Sequence, residues 1–268
     1  MKLKSPYLVK PHTKVRLANL PTGDKGEFGD KAAIDALMAN HCKKLDDLQE
    51  LLYASQSKAL LIVLQGMDTA GKDGTIRHIF TGVSPQGCDV TSFKVPTALE
   101  LRHDFLWRVH NAVPAKGMIG IFNRSHYEEV LVTRVHKVID AKEARRRCGE
   151  IVNFEQLLVD SGVTILKFFL HISRDEQTRR LEARLADADK HWKISNADFS
   201  ERHMWPEYQV AYEEAIEHTS RKWAPWFIIP ANDKTYRNVA ISEIVVDAME
   251  GMKMRYPQPT FDPALIKL

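Results

Sequence analysis

Residues 60–75 read LLIVLQGMDTAGKDGT, an apolar run that ends in Gly66-x-x-x-x-Gly71-Lys72. Few folds can host such a junction. The run is short and apolar, the signature of a strand buried on both faces of a parallel sheet. Ile76, Ile79 and Phe80 recur at helical spacing over 75–81 and predict a helix directly after it. Between them, glycines let backbone N–H groups close around phosphate oxygens, Lys72 adds a mobile positive charge, and the helix points its partially positive N-terminus at the anion. Strand, loop and helix together specify a phosphate-binding loop, in which Gly66, Thr69, Ala70, Gly71, Lys72, Asp73 and Gly74 are the candidate contacts. One position departs from the usual pattern. Asp73 stands where a Ser or Thr hydroxyl ordinarily holds Mg²⁺, a task a carboxylate cannot perform in the same way.

The rest of the chain alternates strands and helices, which predicts a parallel sheet covered on both sides. Residues 1–28, rich in Pro and Gly, read as an extended arm. A helix is expected over 30–54 on the stripe Ile34, Leu37, Met38, Leu45, Leu48, Leu51 and Leu52. Further strands are expected at 89–95, 118–122, 163–172 and 226–229. Thr97 with Glu100 predicts a capped helix over 99–110, Ser173 with Glu176 another to about 185, and a closing helix follows at 238–254.

Several function classes are excluded by composition. At 268 residues the chain can bury a full core as one large α/β domain. No apolar stretch approaches the roughly 20 residues of a membrane span, and the start MKLKSPYLVKPHTK lacks the apolar core of a signal peptide. A soluble, cytoplasmic protein is expected, with no membrane partner. Three widely spaced cysteines, Cys42, Cys88 and Cys148, read as reduced thiols. A net charge of +3 gives no argument for nucleic acid.

Two further constellations carry chemistry. After the third strand comes Asn123-Arg124-Ser125-His126-Tyr127-Glu128, where phosphate-loop folds normally place a metal-positioning Asp. Arg124 is suited to stabilise charge on a transferring phosphoryl group, whereas His126 reads as structural, since an ionised phosphate acceptor needs no base. The polar stretch 186–198 follows the fourth strand and its helix, with Arg179, Arg180, Arg184, Lys190 and Lys193 in or beside it. It reads as a lid that excludes water, or as a solvated surface hairpin.

The loop GMDTAGKDGT, the pattern P-T-x-x-E-L-x-x-D-F-L-W-R from Pro96 to Arg108, the string FNRSHYE and the lid KHWKIS at 190–195 resemble the family-2 polyphosphate kinases. The similarity runs over roughly residues 30–257. It implies a P-loop kinase-like three-layer sandwich with a five-stranded parallel sheet, a helical lid at about 184–200, an N-terminal arm at 1–29 and a tail at 258–268. It also implies reversible, Mg²⁺-dependent transfer of a phosphoryl group between inorganic polyphosphate and AMP, ADP or ATP, with Mn²⁺ as an alternative metal and guanine nucleotides as further candidates. By the resemblance Asp68 matches the loop carboxylate that holds metal, Lys72 the loop lysine, Arg124 the arginine after the strand and Arg184 the arginine leading into the lid. Asn123, where many members have Asp, is the weaker second metal contact, and Asn123 with Glu128 resembles the single-domain subgroup that accepts both AMP and ADP. Lys190, Trp192 and Lys193 are lid contacts, with Trp192 either packing on adenine or anchoring the closed lid. Arg77, Lys94, Arg102, Arg108 and Arg134 are candidates for a polyphosphate channel, and a homo-oligomer is expected. The rival readings are an ATP-dependent nucleoside monophosphate kinase and a non-catalytic nucleotide-binding regulator.

Overall fold

The computed structural model describes residues 4–23, 28–261 and 266. Strands β1 (Ala59–Gln65), β2 (Cys88–Ser92), β3 (Ile119–Asn123), β4 (Val163–His171) and β5 (Trp226–Pro230) form one parallel sheet in the order β2-β3-β1-β4-β5. In chain order the helices are α1 (Lys31–Ser55), α2 (Lys72–Ile79), α3 (Trp107–His110), α4 (Val132–Val135), α5 (Ala141–Asp160), α6 (Arg174–Leu185), α7 (Asn196–His203), α8 (Trp205–Thr219) and α9 (Lys234–Gly251).

The central strand explains its own sequence. All of β1 is buried: Leu61 and Val63 enter one core, with α5 and α8, while Leu60, Ile62 and Leu64 enter the other, with α1, α2 and α9. Side chains alternate across a strand, so a strand covered on both sides must be apolar at every position. Because β1 lies between β3 and β4, the chain crosses to opposite sides at the carboxyl end of β1, where open α/β sheets form their ligand crevice. The glycine-rich loop leaves β1 at that point.

Several boundaries differ from the sequence expectation. The helix expected over 99–110 is a 3₁₀ turn at Glu100–Arg102 and the single turn α3. Thr97 and Glu100 do make their reciprocal bonds, but the Asp104 carboxylate accepts the Leu106 N–H, and this local bond restarts the chain instead of continuing the helix. The second strand stops at Ser92, and α9 begins at Lys234, capped by Asp233 through the N–H groups of Thr235 and Tyr236. Helix α5, which the sequence reading passed over, is capped by Asp140 on the Glu143 N–H and buries Ile151, Phe154 and Leu158. The lid region is a 3₁₀ segment, Ala188–Lys193, followed by α7.

The N-terminal arm is pinned to the sheet. Leu8 faces Phe227 in an antiparallel bridge, with Val9 N–H donating to Trp226 O at 2.9 Å and Ile228 N–H to Tyr7 O at 3.0 Å. Leu17 is fully buried, and its carbonyl lies 3.1 Å from His171 Nε2. Parts of the expected arm and tail, residues 1–3, 24–27, 262–265 and 267–268, lie outside the described residues.

Candidate active site

The loop after β1 turns on two glycines whose conformations admit no side chain. Gly66 has φ 157°, and a Cβ there would stand 2.9 Å from the Leu170 carbonyl oxygen; at Gly71, φ is 102° and a Cβ would meet Arg237 Nη1 at 2.1 Å. Thr69 (φ 66°) and Arg124 (φ 60°) also hold left-handed backbone, which is costly for side-chain-bearing residues and clusters at functional sites. Lys72, at the start of α2, is buried and donates to the carbonyls of Gly66 (2.8 Å) and Met67 (3.5 Å). Burial, then the nearby Arg124, pushes its pKa down.

Beside the loop, the end of β3 delivers two polar side chains. Arg124 donates to Asp68 at 2.8 Å and lies 4.0 Å from Glu128, while Asn123 donates to the Asp73 carboxylate at 2.6 Å. Burial opposes the Arg124 charge, but Glu128 and Asp68 outweigh it and raise its pKa. Glu128 is itself pushed up by burial, against the pull of Arg124 and Lys72. On the far wall, Arg184 Nη1 donates to Lys193 O at 3.4 Å, Lys190 pairs with Asp187, and Lys193 Nζ lies 4.8 Å from the centre of the Trp192 ring, whose residue is 78% exposed. The loop, the β3 tip and the segment from Arg184 to Asp198 line a cleft of about 1060 Å³. Its cations outnumber its carboxylates, so the cleft is built for an anion.

Residues 29–257 match the family described as Polyphosphate kinase 2 (PPK2). The chain belongs to this family. It is 50% identical over 255 residues to the AMP/ADP-polyphosphate phosphotransferase of Meiothermus ruber, covering 94% of this chain and 95% of that one. It is 44% identical to the ADP-polyphosphate phosphotransferase of Rhodopseudomonas palustris, covering 97% and 94% of the two chains. The crystal structure of Polyphosphate Kinase 2 from Arthrobacter aurescens TC1 superposes with a TM-score of 0.92 at 44% identity, covering 96% of this chain and 92% of that one.

In this family member the cleft gathers most residues singled out in the sequence: Asp68, Thr69, Gly71, Lys72, Asp73, Gly74, Lys94, Asn123, Arg124, Arg184, Lys190, Trp192 and Lys193 all line it. Gly66 and Ala70, expected as contacts, belong to the loop but do not line the cleft. Glu128 is off the cleft wall, behind Arg124. Of the channel candidates, Arg77, Arg102, Arg108 and Arg134 do not line the cleft. Arg108 is a strut: its side chain is 8% exposed, it bonds Glu129 at 3.2 Å and the Lys94 carbonyl at 2.8 Å, and it sits over the Phe93 ring. Glu129 and Glu100 already balance its charge, and it stands off the cleft wall. His126 is structural, as expected, buried with Nε2 3.2 Å from Glu155 and its pKa pushed down by burial.

Among the basic and polar cleft residues, Arg180 had been read only as a cation beside the polar stretch, and Lys234, Arg237 and Asn238 had no part in the sequence reading of the site. Arg180 donates to the carbonyls of Thr69 (2.9 Å), Ala70 (3.0 Å), Ala231 (2.7 Å) and Asn232 (2.9 Å) and pairs with Glu176. The signal for the other three was the Asp233 cap, which fixes the start of α9 four residues before the expected boundary and turns its first turns toward the loop.

The donors present fit a magnesium ion held partly by substrate. Among the described residues no three His, Cys, Asp or Glu side chains converge as a complete metal cage. The cleft instead presents the Asp68 and Asp73 carboxylates with the Asn123 carboxamide, and Mg²⁺ characteristically takes one or two carboxylates plus phosphate oxygens and waters.

Proposed function

We propose that this polyphosphate kinase 2 moves the terminal phosphoryl group between inorganic polyphosphate and nucleotides, making ADP from AMP and ATP from ADP. The observation that carries this reading is a cleft rich in cations in which a phosphate loop, Arg124 and the lid cations face one another, in a chain half identical over nearly its whole length to an AMP/ADP-polyphosphate phosphotransferase.

The residues suit direct in-line transfer. The acceptor phosphate is already ionised at neutral pH, so no general base is required, and His126 is buried away from the cleft. Catalysis then rests on positioning and charge. Lys72 exchanges the Gly66 carbonyl for a phosphate oxygen, and Arg124, aimed by Asp68, stabilises the charge of the transferring group. Arg184, Lys190 and Lys193 bring the lid onto the polyanion, which excludes water and suppresses hydrolysis. Asp68 and Asn123, with Asp73 bonded to Asn123, would hold Mg²⁺ or Mn²⁺, which when bound neutralises phosphate charge.

Incubation of AMP or ADP with Mg²⁺ and polyphosphate, followed for ATP, tests the reading against AMP supplied with ATP alone. ATP formed from polyphosphate is the expected result; phosphorylation only from ATP would replace the reading by that of a nucleoside monophosphate kinase. The unpaired Cys42, Cys88 and Cys148 support a reducing, cytoplasmic setting, and no helix among the described residues is long and apolar enough to cross a membrane. A homo-oligomer using the outward face of α1 completes the proposal, and light scattering gives its mass.

A further inference from the structure

Arg237 is a buried cation that makes no ion pair among the described residues. It is 2% exposed, yet its fork ends on neutral acceptors: Nε and Nη2 donate to Asn238 Oδ1 (3.1 and 2.9 Å), and Nη1 to the Ala70 carbonyl at 3.2 Å. Burial, followed by repulsion from Arg180, lowers its pKa to about 10, with Asp233 pulling the other way, so it keeps its charge at neutral pH. An unpaired buried charge is costly, and proteins retain one where it acts.

Its place in the fold shows where this one acts. The Arg237 guanidinium lies against Gly71, on ground that a Cβ would occupy, and both it and Arg180 donate to the same Ala70 carbonyl. The peptide that follows is planar and trans, so with its C=O turned to the arginines its N–H, that of Gly71, points the opposite way. That N–H has no acceptor among the described residues. It stands at the tip of the phosphate loop, one residue before α2.

We infer that Arg237, acting with Arg180, is a positioning residue for phosphoryl transfer: the two guanidiniums grip the Ala70–Gly71 peptide by its carbonyl, aim the Gly71 N–H at the phosphate, and hold behind the loop a positive charge that the phosphate anion balances. The inference rests on the proposed transfer reaction and extends it to residues outside the loop. Asn238 is part of the device. A carboxylate in its place would cancel the charge, whereas the carboxamide orients the fork and leaves the charge to the ligand.

Asn238→Asp and Arg237→Ala test this in the full-length protein, with melting followed by circular dichroism, turnover measured with polyphosphate and ADP, and tripolyphosphate binding measured by calorimetry. Asn238→Asp is expected to melt at or above the native temperature while kcat falls and tripolyphosphate binds more weakly. Arg237→Ala is expected to lose about 10²-fold or more in kcat, on the scale of a removed transition-state donor, and to recover part of it with added methylguanidinium but not methylammonium. Native kcat and native tripolyphosphate affinity in Asn238→Asp would overturn the inference. So would a cooperatively folded Arg237→Ala whose lost activity methylguanidinium leaves unchanged. Should the native protein form no ATP from polyphosphate, the transfer reading fails by itself, and the tripolyphosphate affinities of the two variants still decide the role of Arg237.

Discussion

Lys167, in the middle of β4, is wholly buried, and its ammonium makes three bonds: to Glu155 Oε2 at 2.6 Å, Thr219 O at 2.9 Å and Tyr127 Oη at 3.0 Å. Glu155 in turn accepts from Tyr127 Oη at 2.8 Å and lies 3.2 Å from His126 Nε2. Burial works to raise the Glu155 pKa, but Lys167 and His126 hold it below the usual carboxylate value. In Lys167→Met the apolar stem is kept while Glu155 is left as a buried charge without its cation, a change that costs about 3–5 kcal/mol. At about 2.1 cal/mol/K of unfolding entropy per residue, the whole chain has about 0.56 kcal/mol/K, so the melting temperature should fall by about 5–9 °C. The loss should reach catalysis as well, because His126 and Tyr127 belong to the turn His126–Glu129 that directly follows Arg124. The double variant Lys167→Met, Glu155→Leu removes both charges and should regain most of the stability. Differential scanning calorimetry on the three proteins is the assay. A single variant within about 1 kcal/mol of native, or a double variant no more stable than the single one, would refute the reasoning.

Lys72→Ala and Arg124→Ala should each lower turnover by about 10³-fold or more while keeping cooperative unfolding, since the proposed transfer sets both side chains on the phosphoryl group; unchanged turnover in a coupled ATP assay would remove their assigned roles. Gly71→Ala should cost about 1–3 kcal/mol from its left-handed backbone alone, measured by urea denaturation, and should displace Arg237 and so depress kcat. Stability should decline on acidification: burial lowers the pKa of His41, His126 and His171 below 6.5, so the unfolded chain takes up protons first as pH falls through that value. Each histidine then removes up to about 1.4 kcal/mol per pH unit, and a melting temperature flat between pH 7.5 and 5 would contradict this.

Much of the architecture was legible because it is local. The β1 run, the loop glycines and the Ser173 cap each announce themselves within a few residues, and the structure places them as expected. What was missed depends on distant partners. Arg108 and Arg184 look alike in sequence, but Glu129 and the Lys94 carbonyl engage the first, while the second remains on the cleft wall. Arg237 gives no motif signal, since its importance arises only when α9 packs beside the loop. Helix α5 carries its own local signals in the Asp140 cap on Glu143 and the buried stripe Ile151, Phe154 and Leu158.

The arm pinned on β5 imposes an order on synthesis. Its bridge joins Leu8 to Phe227 in β5, the strand that follows the other four in chain order, so Leu8 must wait for Phe227 while the central strands can already pair. Until then β5 has no cover on its outer edge, and an uncovered edge is a template for pairing between chains. The arm therefore acts as a seal applied at the end of folding, and losses from shortening it should appear first as aggregation during refolding, before any change at the cleft.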